Sequence, residues 1–153
     1  MNTKYKVQTR ILLNPRWHSD APQIRVGCGR EIYNYVLYDQ RWFDFEFDSD
    51  QSQETIAVEF LNKLDTDTVL EQNLDKAVIV EAVEFFGITD PQFVWAGEYR
   101  PRYPEPWASE QDQLEPVLKH HNYLGWNGKW TLTFDVPVFT WMHKVQNLGW
   151  IYS

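Results

Sequence analysis

Apolar and polar side chains alternate with a period of two through much of the first ninety residues. Tyr5, Val7, Thr9 and Ile11 alternate with Lys6, Gln8 and Arg10, the mark of a strand with one buried face. Asn14-Pro15 and Asp20-Ala21-Pro22 predict breaks. Gln23 to Cys28 predicts a short strand, with Gly27-Cys28-Gly29 as a tight turn or bulge before Glu31 to Leu37. The pattern is clearest from Trp42 to Asp48, where Phe43, Phe45 and Phe47 share one face and Trp42, Asp44, Glu46 and Asp48 the other. A polar turn, Ser49 to Glu54, leads into Ile56-Ala57-Val58-Glu59-Phe60, which alternates again. Ala77 to Phe86 is dense enough in apolar residues to suggest a helix. Its β-branched Val78, Ile79, Val80 and Val83, with Val78, Val80 and Ala82 at a period of two, instead predict a strand ending at Gly87.

The last third is patterned differently. Five of the eight prolines fall between Pro91 and Pro116, and Pro101, Pro104 and Pro106 break up the run around Tyr103 and Trp107. Proline lacks the ladder donor, so this run is expected to be an extended surface excursion rather than a central strand. Asn127-Gly128 is a hairpin signal, and Lys129 to Pro137 predicts a strand with Trp130, Leu132, Phe134 and Val136 on one face. Val138, Trp141, Met142, Val145 and Leu148 fall at helical spacing. Short strands separated by turn signals predict an all-β, two-sheet β-sandwich of jelly-roll type. Its expected organisation is a sandwich module over residues 1–90 and an aromatic, Pro-rich extension, 91–153, wrapped on the same domain.

Composition narrows the function classes. The 153 residues carry 14 Lys+Arg against 22 Asp+Glu, a formal charge of −8, which argues against partners with phosphate backbones or anionic lipid. No apolar run approaches the roughly 18 residues of a membrane span, and the N-terminal MNTKYKVQTR has no apolar core of a secretory signal. One cysteine excludes an intrachain disulfide framework and a Cys-cluster zinc site. Aromatic residues reach 16 %, including 8 Trp.

The connection after Phe60 packs Asn62, Asp65, Asp67, Glu71, Asn73 and Asp75 into one stretch. Asp, Asn and carbonyl oxygens are what a hard cation such as calcium takes, and Asp65-x-Asp67 would bring two carboxylates together if the loop curls. It is not an EF-hand, and the other reading is a solvated acidic loop. Ile56-Ala57-Val58-Glu59-Phe60-Leu61-Asn62-Lys63, followed by a loop and then Asp75-Lys76-Ala77-Val78-Ile79-Val80-Glu81-Ala82-Val83-Glu84-Phe85-Phe86-Gly87, resembles the calcium-dependent xylan-binding carbohydrate-binding modules. Pro22 to Gly27 and Trp42 to Phe45 sit where that family places earlier strands, so the resemblance covers residues 4 to 90. It implies a sandwich whose bound calcium coordinates vicinal sugar hydroxyls, with Asn62 and Asp75 at the motif positions. The family's acidic residue is Lys63 here, so either Asp65 or Asp67 supplies the missing carboxylate or the fold is kept without the metal. The candidate ligand set is Asn62, Asp65, Asp67 and Asp75.

Sugar rings pack their C–H faces on aromatic rings, and Trp95, Tyr99, Tyr103 and Trp107 lie in the proline-rich excursion as a candidate platform; such amphipathic rings serve protein interfaces equally well. Trp130, Trp141 and Trp150 read as core, and Trp126 fits either role. Glu46 with Glu59 or Glu84 would be the carboxylate pair of a glycosidase, against a solvated outer strand face. Cys28 reads as a small buried residue; His120 and His121 point to opposite faces, and His18 and His143 are isolated. The expected function is a non-catalytic carbohydrate-binding module for polysaccharide or cell-surface glycan, with calcium as candidate cofactor. The second expectation is a structural or adaptor subunit of a phage particle, contacting other virion proteins or further copies of itself. A virion protein needs no signal and is cytoplasmic before assembly.

Overall fold

Val7, Thr9, Ile11 and Leu13 are all buried along β1 (Tyr5–Arg16), and Lys6 and Gln8 between them are exposed, so the strand has one dry face, as its alternation requires. The computed structural model describes residues 3–105 and 107–146. In one sheet β1 lies between β4 (Arg41–Ser49) and β6 (Ala77–Phe85), antiparallel to both, and β6 continues to β10 (Tyr123–Leu124) and the short β7 (Ile88–Thr89). The second sheet runs in the order β3 (Glu31–Val36), β2 (Gln23–Cys28), β5 (Gln53–Phe60), β11 (Gly128–Asp135), β8 (Glu98–Pro101) and β9 (Leu118–Lys119). The two sheets pack face to face as the expected sandwich, with Phe45, Phe60, Phe85, Leu132 and Phe134 among the residues between them.

The C-terminal third does more than wrap this sandwich. β11 lies in the middle of the second sheet, paired with β5 from Gly128↔Phe60 to Asp135↔Gln53 and with β8 on its other side. The proline-rich stretch begins with α1 (Pro91–Trp95), capped by the Asp90 side chain, and then enters the sheet as β8. Pro101 is tolerated because it is the last residue of that strand. Pro15 also differs from expectation: β1 runs through it, paired with Val78, because β4 has already ended opposite Leu13 and leaves that side of Pro15 without a partner strand.

Asn127-Gly128 makes no hairpin, since the strands before and after it belong to different sheets. Gly128 is needed for a close approach: a Cβ there would lie 2.5 Å from the Arg100 carbonyl oxygen. Gly97 likewise leaves room for the Trp130 ring, whose Nε1 donates to the His121 carbonyl at 3.1 Å. α2 (Val138–Val145) closes one end of the core with Val138, Trp141 and Met142. Phe85 sits edge-on to Phe93, Phe134 and Trp141 at 5.3, 4.9 and 5.3 Å between centroids. Each such pair adds about 0.5–1.5 kcal/mol to the area buried. Trp130 and Trp141 are core residues as expected, and Leu148 and Trp150 lie outside the described residues.

The outer strand faces carry ion pairs. Glu46 pairs with Lys6 at 2.6 Å, Glu84 with Arg10 at 3.3 Å and Glu59 with Arg25 at 3.8 Å. Glu59 belongs to the other sheet, and β1 separates Glu46 from Glu84, so the suggested carboxylates do not meet across a cleft. Cys28 is buried; loss of hydration, reinforced by Glu54 and Glu31, pushes its thiol up to about 12, which leaves it protonated and inert.

Candidate binding cleft

The connection from β5 to β6 is held by two lysines. After Phe60 the chain makes two short 3₁₀ turns, Asp65–Asp67 and Leu70–Gln72, before re-entering the sheet at Ala77. The Lys63 and Lys76 side chains point into this connection and are only 4 % and 1 % exposed. Lys63 Nζ donates to Asp75 Oδ1 and, at 2.7 Å, to the Lys76 carbonyl. Lys76 Nζ reaches Asp20 at 2.8 Å, Asp67 at 3.2 Å and the Asn62 carbonyl at 2.9 Å. A buried ammonium is costly unless paired and hydrogen-bonded, and both of these are.

The four proposed cation ligands are therefore engaged differently from the expectation. Asp75 Oδ1 also accepts from Thr68 Oγ1 at 2.7 Å and from the Lys76 amide at 2.8 Å, and Oδ2 accepts from the Tyr123 hydroxyl at 2.5 Å. Asp67 Oδ2 accepts from the Leu64 amide at 2.7 Å and forms an ion pair with Lys76. The Asn62 amide is spent on the backbone, its oxygen accepting from the Gln23 amide and its nitrogen donating to the Ala21 carbonyl. Asp65 is exposed at the rim. Among the described residues no three or more His, Cys, Asp or Glu side chains gather to hold a metal ion. The Asp67 and Asp75 carboxylates face ammonium groups, the Asn62 side chain is spent on the backbone and Asp65 stands apart at the rim, so this donor set does not fit a divalent cation.

Burial raises the pKa of Asp75, but hydrogen bonds from Lys63, Tyr123 and Thr68, together with the Lys63 charge, outweigh it and hold the carboxyl below its ordinary value. Tyr123 responds in the opposite sense: burial and the bond to Asp75 raise its pKa, so its proton stays on the phenol.

Facing this loop is an aromatic wall. Trp107 lies 5.4 Å from Trp126 and 5.8 Å from Tyr103, and Tyr103 lies edge-on to Trp126 at 6.4 Å. Tyr103 is fixed by its hydroxyl, which donates to the Glu115 carbonyl at 2.9 Å. Trp126 is placed by Tyr99, whose hydroxyl donates to the Trp126 carbonyl and accepts from the Trp126 amide. Asn127 ties the two walls together: its side chain accepts from the Lys63 amide at 2.7 Å and donates to the Lys63 carbonyl at 3.1 Å. Between the walls lies a cleft of about 560 Å³, with Tyr103, Trp107 and Trp126 on one side and Lys63, Asp65, Thr68, Asp75 and Tyr123 on the other.

The four aromatic candidates separate. Tyr103 and Trp107 line the cleft as expected of a platform. Tyr99 is fully buried, its ring stacked on His121 at 5.6 Å; it is a core residue that supports the cleft floor, because it belongs to β8 and not to a surface excursion. Trp95 is exposed but lies apart, beside Glu81, Asp90 and Asn122. Trp126, left between two roles by its sequence, joins the platform. Tyr123, Thr68 and Lys63 were not foreseen as lining residues; the trace in the sequence was a lysine directly after each motif residue, Asn62-Lys63 and Asp75-Lys76. A comparison with family models, with curated proteins and with solved structures finds no match for this chain.

Proposed function

We propose that this chain is a non-catalytic carbohydrate-binding module whose sugar site is the cleft between the 61–76 connection and the Tyr103–Trp107–Trp126 wall. The observation that carries the reading is the meeting of these surfaces: aromatic faces for the C–H side of a sugar ring, opposite a row of hydroxyl, carboxylate and ammonium groups for its hydroxyls. The polar groups are held in place by one another, so a ligand meets a site whose geometry is already set.

The test is a glycan array followed by titration calorimetry on wild type, Trp107→Ala and Trp126→Ala. Each substitution is expected to weaken binding at least tenfold, about 1.4 kcal/mol, with the melting temperature nearly unchanged for Trp107→Ala. An array with no bound glycan defeats the proposal.

A second reading, a structural or adaptor subunit, has one observation in its favour. The strand β3, at the edge of its sheet among the described residues, exposes Ile32 at 61 % and Tyr33 at 42 %. A stable oligomer by light scattering, combined with a blank glycan array, would favour it.

A further inference from the structure

We infer that the Lys63 and Lys76 ammonium groups do the work of a bound divalent cation in this loop, so that the cleft takes a neutral sugar chain with no metal. The inference rests on the carbohydrate-binding reading of the cleft and adds the class of sugar and the absence of a metal requirement.

The donor count supports the first part. The Asp75 carboxylate takes four donors, with Lys63, Thr68 and the Lys76 amide on Oδ1 and the Tyr123 hydroxyl on Oδ2. The Lys76 ammonium donates to the Asn62 carbonyl and forms ion pairs with Asp20 and Asp67. The oxygens that a calcium ion would need thus surround nitrogen instead, with the positive charge already delivered. To enter, a cation would have to displace a buried ammonium from the carboxylates that pair it.

Charge decides the class of sugar. Lys63 cancels Asp75, which leaves the rim carboxylate of Asp65, in no ion pair among the described residues, as the uncompensated charge of the cleft. A uronate or sulfated glycan would meet that carboxylate and a chain of net charge −8. A cationic ligand would find the cation position over the Trp126 ring already held by the Lys63 ammonium, 5.9 Å from its centre. A neutral ring, stacked on Trp107 and Trp126 and hydrogen-bonded on its other side, meets no such repulsion and needs no cation position on the wall.

The experiment uses the full chain in excess EDTA and in millimolar calcium. It measures binding to neutral arabinoxylan, mannan and β-glucan, and to acidic polygalacturonate and heparin, with a thermal melt in each buffer. A neutral polysaccharide should bind with the same affinity in both buffers, the acidic polymers should bind at least tenfold more weakly, and the melting temperature should not differ. Lys63→Gln, which removes the ammonium charge from Asp75 Oδ1, should melt lower than wild type and regain part of the loss when calcium is added. Binding that requires calcium, or a preference for the acidic polymers, overturns the inference and leaves the carbohydrate reading standing. Binding to no polysaccharide in either buffer overturns that reading and, with it, the choice of a neutral sugar. The wild-type melt judges the lysines separately: an unchanged temperature supports them, and a rise with calcium overturns them even if Lys63→Gln does not fold.

Discussion

At the scale of single residues, Asp75 and Lys63 depend on each other. Removing the carboxylate leaves a buried ammonium without its counter-charge, so Asp75→Ala should cost about 3–5 kcal/mol in urea denaturation. Acid should act on the same pair. The folded pKa of Asp75 lies below the unfolded value of 3.8, so its contribution is complete above that pH. Below it the unfolded chain takes up protons first, and the contribution is lost as pH falls through the folded pKa. Stability should therefore fall on acidification past about pH 4, and fall less steeply in Asp75→Ala, as equilibrium unfolding against pH will show. The sequence made Asp75 conspicuous but not its partner. Lys63 appeared there as a charge hostile to a neighbouring cation, and only the curl of the loop makes it the group that satisfies the carboxylate.

At the scale of elements, legibility followed exposure. β1, β4, β5 and β11 each have one dry face, so alternation alone revealed them, while β6, whose buried positions shift phase between Val80 and Val83, needed its β-branched residues as well. Local signals failed where a distant strand overrode them. Asn127-Gly128 has the residues of a hairpin turn, yet the Asn127 amide holds Lys63 and Gly128 gives way to the backbone of β8. Gly128→Ala puts a methyl group against the Arg100 carbonyl and should cost about 1–3 kcal/mol, measured by denaturant unfolding. The proline run misled in the same way: a strand that stops at Pro101 can pair on both sides before it does, and Tyr99, one turn of the pleat earlier, is buried for that reason.

At the scale of the whole molecule, the expected boundary near residue 90 does not divide the architecture. β11 supplies the middle of the second sheet, and without it β5 would lose the neighbour it pairs with over eight residues. A fragment of residues 1–90 should consequently show no cooperative unfolding transition, whereas the full chain should, with circular dichroism on heating as the measurement. The cleft itself is assembled from both regions: its polar wall comes from residues before 90 joined by Tyr123, and its aromatic wall, Tyr103, Trp107 and Trp126, from residues after 100.

The double grip of the Asn127 amide on the Lys63 backbone has a kinetic meaning. Trp126 cannot draw away from the 61–76 connection without breaking both bonds of its neighbour and exposing the ammonium behind them. A visiting molecule would find the slot standing open at a constant width, with little freedom left to surrender on docking. Discrimination in such a slot falls to the shape of the guest, since the host does not adjust itself to whatever arrives.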